Sequence, residues 1–188
     1  RWKFAQATNA GRLTMTQDSS VPTGEGFANS MKLACTTADT SIGADEAALI
    51  QQSIEGQNLQ VFSKGTSSAK PFTISFYVKG NAAATYTVEL HDNDNTRYNS
   101  QEFSVTTDWT KVTKTFVADT TGAFDDDTAA SLKLQIWLHA GSTYTGGTHT
   151  DNVWHTTSNQ RVGDSQTSFY DSTDRTFFIT GVQLEVGQ

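Results

Sequence analysis

Apolar and polar residues alternate strictly in two stretches of the sequence, and this spacing constrains the fold more than any other feature. Apolar residues occupy every second position of 72–78, and the same spacing recurs in 132–138. Successive side chains of a strand point to opposite faces. Each stretch therefore predicts a strand with one buried and one polar face, as in an antiparallel sheet. Only 18% of residues are charged, and threonine fills many of the polar positions, which suits strands. We predict an all-β protein.

Further runs of this kind are separated by polar, turn-forming clusters. The expected strands lie at 1–8, 12–17, 31–36, 72–78, 86–90, 97–105, 109–118, 132–139 and 176–186. The first two face each other across residues 9–11 and predict a hairpin. About nine or ten strands with regular turns favour a jelly-roll β-sandwich of two antiparallel sheets. No proline-rich linker, repeat or charge block interrupts the chain, so 1–188 is expected to be a single domain.

The apolar residues on one face of each strand predict the core, because shifting the strand by one residue would expose all of them. The predicted core residues are Trp2, Phe4, Leu33, Phe72, Ile74, Phe76, Val88, Leu90, Leu134, Ile136, Leu138 and Leu184.

The stretch 44–56 fits both a helix and a strand. Asp45 and Glu46 are typical of a helix start, and the residues that follow have helix propensity. However, every second residue of this stretch also fits one face of a strand, namely Ala48, Ile50, Gln52 and Ile54, and a helical turn could lie in 56–62 instead. The sequence leaves the choice open, so the sandwich has room for one short helix.

Charge and cysteine content exclude several classes of protein. The net charge is -7, the isoelectric point is about 4.9, and no lysine and arginine cluster occurs, which argues against nucleic acid as a partner. No apolar run approaches the roughly 18 residues of a membrane span, so we expect no membrane insertion. The single cysteine, Cys35, excludes an internal disulfide and cysteine-rich zinc motifs. We expect it to be a buried apolar residue.

Residues 141–175 have no strand periodicity but contain several aromatic side chains. Irregular segments longer than about 15 residues are usually functional or disordered. Aromatic rings on polar surfaces can stack on the apolar faces of sugars, while amides and charged groups bond their hydroxyls. The predicted ligand-binding residues are Trp154, Tyr144, Trp137, His139, Asn152, His155, Arg97 and Asp92. The alternative is that these aromatic residues only hold the segment against the sheet.

Catalytic and metal-binding motifs are not recognisable in the sequence. The acidic clusters at 92–94, 125–127 and 171–174 lie in turn-forming contexts, where aspartate caps the backbone. The run Asp92-x-Asp94-x-Thr96 begins like a calcium loop but lacks the glycine and glutamate that an EF-hand requires. We therefore expect no enzymatic activity and no cofactor, with structural calcium at these turns as the open alternative.

Several motifs resemble a domain of phage tail fibres and other virion receptor-binding proteins. They are Trp2-Lys3-Phe4, 31–41, 54–59, 70–78, 156–160 and 178–187. The resemblance implies a jelly roll related to carbohydrate-binding modules, carried on a fibre that is usually a homotrimer. It also implies that the chain is an internal or C-terminal fragment of a longer fibre protein, because a further strand commonly precedes this tryptophan in the family.

On this resemblance we expect a non-enzymatic module that binds host surface glycan from the virion tail and is made in the host cytoplasm. Shallow sites repeated around a homotrimer gain affinity through effective concentration. Two alternatives remain. One is an architectural or trimerising domain with no ligand site, and the other is a glycan depolymerase, which needs two facing carboxylates.

Overall fold

Ten strands form two antiparallel five-stranded sheets in the computed structural model, which describes residues 1–187. The strands are β1 (Lys3–Ala7), β2 (Arg12–Asp18), β3 (Ser30–Thr37), β4 (Ala47–Glu55), β5 (Phe72–Gly80), β6 (Ala84–Asp92), β7 (Arg97–Val105), β8 (Thr110–Phe116), β9 (Ala130–Ala140) and β10 (Thr176–Val186). The front sheet has the order β1-β4-β9-β6-β7 and the back sheet β2-β3-β10-β5-β8. The predicted jelly-roll sandwich is confirmed.

Helical structure is confined to short turns in residues 1–187. A four-residue helix, α1 (Ser142–Thr145), follows β9, and single 3-10 turns lie at Gly56–Asn58, Gln60–Phe62 and Ser158–Gln160. In this part of the chain no helix has the length and apolar character needed to cross a membrane.

The core lies between the two sheets and is built from the apolar phase of their strands. All but three of the predicted core residues are buried. Trp2, Phe4 and Leu184 are only half-buried and pack against the margin of the core. Phe4 lies in β1, an edge strand of the front sheet, where fewer neighbours cover a side chain. Cys35 is buried as predicted, and burial raises the pKa of its thiol.

The predicted hairpin between the first two strands is wrong. β1 pairs with β4 in the front sheet, whereas β2 pairs with β3 in the back sheet. The chain crosses between sheets at residues 9–11. There, Asn9 Nδ2 donates a hydrogen bond to Ala47 O at 2.8 Å. Gly11 lies against Tyr170, where an added Cβ would be 2.3 Å from a ring carbon, so this close approach requires glycine.

The ambiguous stretch 44–56 is a strand for most of its length. β4 pairs with β1 on one side and with β9 on the other, and Ala48 and Ile50 are fully buried in the core. The helical turns follow it, within 56–62. Pairing with two neighbouring strands therefore overrides the helix propensity of the local sequence.

A buried ammonium group joins two loops and the end of β6 at one end of the sandwich. Lys64 Nζ lies 2.5 Å from Asp92 Oδ2 and 3.2 Å from Asp119 Oδ2. It also donates hydrogen bonds to the carbonyl oxygens of Thr121 and Gly122, at 2.9 and 2.7 Å. The Lys64 and Asp92 side chains are fully buried. Because charged groups are costly to bury without partners, this cluster fixes the two loops and the end of β6 relative to one another.

Candidate functional site

A long segment without strands crosses the outer face of the front sheet. We call residues 141–168 the overlying segment. The ring of Tyr144, in α1, lies 4.9 Å from the ring of Trp137 on β9. Further along, His149 Nε2 hydrogen-bonds Ser100 Oγ on β7 at 3.0 Å, and Gln166 Nε2 donates to Trp137 O at 2.9 Å. The segment therefore covers the β6 and β7 half of the front sheet and leaves Trp137 only 1% exposed.

Arg161 anchors the overlying segment to the sheet. Its guanidinium donates two hydrogen bonds to the buried carboxylate of Glu89 on β6, at 2.9 and 2.7 Å. It also donates to Gln135 Oε1 at 3.1 Å. The same group lies 4.1 Å from the ring centre of Tyr98 and 5.0 Å from that of Trp137. A bidentate ion pair combined with ring stacking is among the strongest arrangements available to arginine.

Beside the overlying segment, the outer faces of β1, β4 and β9 leave an open groove of about 260 Å³. Its lining residues are Ala5, Gln6, Ala7, Ala47, Leu49, Gln51, His91, Lys133, Gln135, Trp137, Tyr144 and Arg161. Small apolar side chains on β1 and β4 keep the floor low, while Tyr144 and Arg161 form one wall. Rings, amides and cations on a shallow apolar floor are the groups that bind sugars.

Two side-chain hydrogen bonds organise the polar groups of the groove. Gln135 Nε2 donates to Gln51 Oε1 at 2.8 Å, and Lys133 Nζ donates to Asn93 Oδ1 at 2.6 Å. Trp137 Nε1 and His91 Nδ1 are buried without a hydrogen-bond partner. Burial, together with the positive charges of Arg161 and Lys133, lowers the pKa of His91 to about 3, so this ring is neutral near pH 7.

Two other hollows lack this combination of groups. One, of about 470 Å³, lies beside Trp2, Met15 and Met31 and is mostly apolar. The other, of about 290 Å³, lies beside Lys64 and Phe124, where the ammonium is already surrounded by protein oxygens. The groove on the front sheet is therefore the candidate site. Residues 1–187 contain no group of three or more histidine, cysteine, aspartate or glutamate residues arranged to hold a metal ion.

Comparison with known proteins identifies the family. A family model described as a carbohydrate binding domain, CBM_4_9, matches residues 29–142, which is more than half of the chain. The chain belongs to this carbohydrate binding domain family. The matched part of this carbohydrate-binding module contains the strands β4 and β9 that form the floor of the groove.

Solved structures share the fold of the module at low sequence identity. One is the enzymatically active domain of tailspike protein 4 of bacteriophage CBA120, with a TM-score of 0.52, 12% identity and 98% of this chain covered. The module matches 19% of that tailspike chain. A CBM4 structure has a TM-score of 0.51 and 16% identity, and the match covers 98% of this chain and 86% of that one. A xylan-binding domain from CBM 22 has a TM-score of 0.50 and 12% identity, and the match covers 99% of this chain and 86% of that one. No curated protein matches the chain.

The structure divides the predicted ligand-binding residues of the module between different places. Trp137 and Tyr144 line the groove. His139 is fully buried outside it, where Nε2 bonds to Glu46 Oε2 at 2.9 Å and Nδ1 to Ser168 Oγ at 2.8 Å. Trp137 and His139, both predicted to bind ligand, are buried by the overlying segment and the residues after it, which is the arrangement given above as the alternative.

The remaining predicted residues hold the fold together away from the groove. Trp154 Nε1 donates to Val117 O at 2.8 Å, and Asn152 Oδ1 accepts from Val117 N at the same distance. His155 pairs with Tyr98 at the edge of β7. Arg97 bonds to Asp119 at 2.8 Å, and Asp92 is buried against Lys64. Whether any of these residues also contacts a ligand stays a prediction.

Sequence reasoning missed several polar residues of the groove. Gln51, Lys133 and Gln135 occupy the polar phase of β4 and β9, where alternation alone marks them as outward-facing. This signal was available for Lys133 and Gln135, which interrupt the apolar residues of a clear strand. It was hidden for Gln51, because the stretch that contains it also fits a helix.

Proposed function

We propose that this module binds glycan through the groove on the front sheet and does so as part of a phage tail fibre. The observation that carries the binding role is the groove itself. It combines the half-buried Tyr144 ring, which packs on the buried Trp137, with the half-buried amide of Gln51, in a chain that belongs to a carbohydrate binding domain family. Ring faces supply apolar contact and amides supply oriented hydrogen bonds.

The tail-fibre setting rests on separate support. The sequence motifs resemble those of virion receptor-binding proteins, and a bacteriophage tailspike is among the structures that share the fold. In this setting the ligand is a glycan of the host surface, and the module is displayed on the virion tail as a homotrimer. The overlying segment covers the β6 and β7 half of the front sheet and so forms one side of the groove. Three such weak sites on one rigid fibre would reinforce each other through effective concentration.

Glycan binding is expected to weaken about tenfold in the variant Gln51→Ala. The substitution removes one side-chain amide, which can form one or two hydrogen bonds with a sugar, each worth about 1 kcal/mol. Every 1.4 kcal/mol corresponds to about a tenfold change in affinity. The measurement is a glycan array followed by calorimetric titration with the best oligosaccharide. Gln17→Ala, at an exposed position of β2 in the back sheet, is the matched control and should bind like the unmodified module. Equal affinities of the Gln51 variant and the control would place the site elsewhere.

The module is expected to release no sugar from polysaccharide. Glycosidases use two carboxylates that flank the scissile bond, and the described lining of the groove contains none. Asp126 is exposed in a turn, and Asp92 is buried with Lys64. Incubation with host surface polysaccharide and a reducing-end assay tests this expectation. Release that disappears in Asp92→Asn or Asp126→Asn would instead favour a depolymerase.

A further inference from the structure

The charge of the groove is opposite to that of the whole module. The chain carries a net charge of -7. The described lining of the groove nevertheless contains Lys133 and Arg161 and no aspartate or glutamate. Low-dielectric walls around charges of one sign focus their field on a bound ligand. The groove is therefore a small positive region on an acidic protein.

The positive charge that is free to meet a ligand belongs to Lys133. Arg161 is not free, because the buried carboxylate of Glu89 balances its charge. The partner of Lys133 Nζ is the neutral amide oxygen of Asn93, and Lys133 forms no salt bridge within residues 1–187. The charge of this half-buried ammonium is thus uncompensated.

A second lysine lies on the same face at the rim. Lys3 shares the outward phase of β1 with Ala5 and Ala7 of the groove and pairs in register with Gln51. Its side chain is exposed, and no carboxylate of residues 1–187 forms a salt bridge with it. An anionic group seated above Gln51 would therefore meet positive charge from two strands.

We propose that the groove recognises a single anionic sugar residue, one that carries a carboxylate or a sulfate; this inference rests on the proposed glycan-binding function. The Lys133 ammonium would form a charge-assisted hydrogen bond with the anionic group, which is about twice as strong as a neutral one. The half-buried amide of Gln51, which Gln135 holds by a hydrogen bond, is placed to bond a hydroxyl of the same sugar residue.

The negative charge of the rest of the module favours ligands in which acidic sugar residues are isolated from one another. With a net charge of -7, the protein repels a densely charged polymer at long range, and salt screens this repulsion only beyond about 8 to 10 Å. A lone acidic residue in a mostly neutral glycan avoids most of this repulsion. It still gains the short-range contact with Lys133.

The test compares matched sugars by NMR titration of the whole module. The probes are methyl glucoside against methyl glucuronide, and galactose against galactose 6-sulfate, each at millimolar concentration. We expect the anionic member of at least one pair to bind about tenfold more tightly than its neutral partner. The pair that shows the preference distinguishes a carboxylate from a sulfate as the recognised group.

Variants of Lys133 assign the preference to this side chain. Lys133→Gln should abolish the difference within the pair, and Lys133→Arg should retain it. Lys114→Gln, on β8 of the back sheet, is the control for a general change of charge and should behave like the unmodified module. Thermal unfolding of each variant verifies that it is folded.

The outcomes separate this inference from the proposed function. Equal binding of both members of each pair, or a preference that persists in Lys133→Gln, overturns the inference and leaves glycan binding supported. Failure of all four sugars to bind also overturns it. The oligosaccharide array with Gln51→Ala then decides the proposed function independently.

Discussion

Replacing Lys64 by methionine is expected to lower the free energy of unfolding by about 3 to 5 kcal/mol, the usual cost of breaking a buried ion pair. Methionine has a similar length and removes the charge. The variant would leave the buried Asp92 carboxylate, and in part that of Asp119, without the ammonium that lies 2.5 and 3.2 Å from them. Chemical denaturation monitored by tryptophan fluorescence measures the change.

Two further variants test whether buried charge is the cause of this loss. Lys70→Met replaces an exposed lysine and should change the stability by no more than about 0.5 kcal/mol. The double variant Lys64→Met with Asp92→Asn removes both charges of the closest pair, so it should recover part of the stability lost in the single variant. A Lys64→Met protein as stable as the unmodified module would contradict the assignment of the cluster as a structural ion pair.

Truncating Phe76 to alanine should cost about 3 to 5 kcal/mol of unfolding free energy, the range for emptying a large buried aromatic site. Phe76 on β5 is fully buried. Its ring packs edge-on against Phe103 of the opposite sheet, with the ring centres 5.2 Å apart. The cost combines the lost burial of the ring with the cavity left behind. Urea denaturation of the two proteins measures it.

A matched exposed position tests whether the loss at Phe76 comes from burial. Met15 on β2 is 43% exposed, so Met15→Ala should remain within about 0.5 kcal/mol of the unmodified module. A loss below about 1 kcal/mol for Phe76→Ala would be inconsistent with a close-packed interior at this point.

Most of the sandwich was predictable because its strands are specified locally. Alternation places Phe72, Ile74 and Phe76 on one face whatever their neighbours are, and the structure buries all three. The error at residues 9–11 has a different origin. A turn signal shows that the chain reverses, but the choice between one sheet and two depends on distant partners. Asn9 finds its partner, Ala47, only 38 positions later in the sequence.

The candidate site was less predictable because it is assembled from distant segments. Trp137 and Tyr144 could be selected as aromatic residues in polar surroundings. Nothing local marks Arg161, whose partner Glu89 is 72 positions away. Trp154 resembles Tyr144 in its sequence context, yet its indole nitrogen donates a hydrogen bond to Val117 O and the side chain does not line the groove. Which aromatic residue meets a ligand is decided by the path of the overlying segment across the sheet.

The position of the overlying segment in the chain has a consequence for how such modules diversify. The family match ends at residue 142, and the overlying segment begins at 141, where β9 has just ended. Nine of the ten described strands therefore lie before this boundary, and a wall of the groove lies after it. Exchanging or shortening the segment would change the length and the charge of the binding face, while the pairing of β1 with β4 and of β4 with β9 would stay intact. One scaffold could in this way present different recognition surfaces.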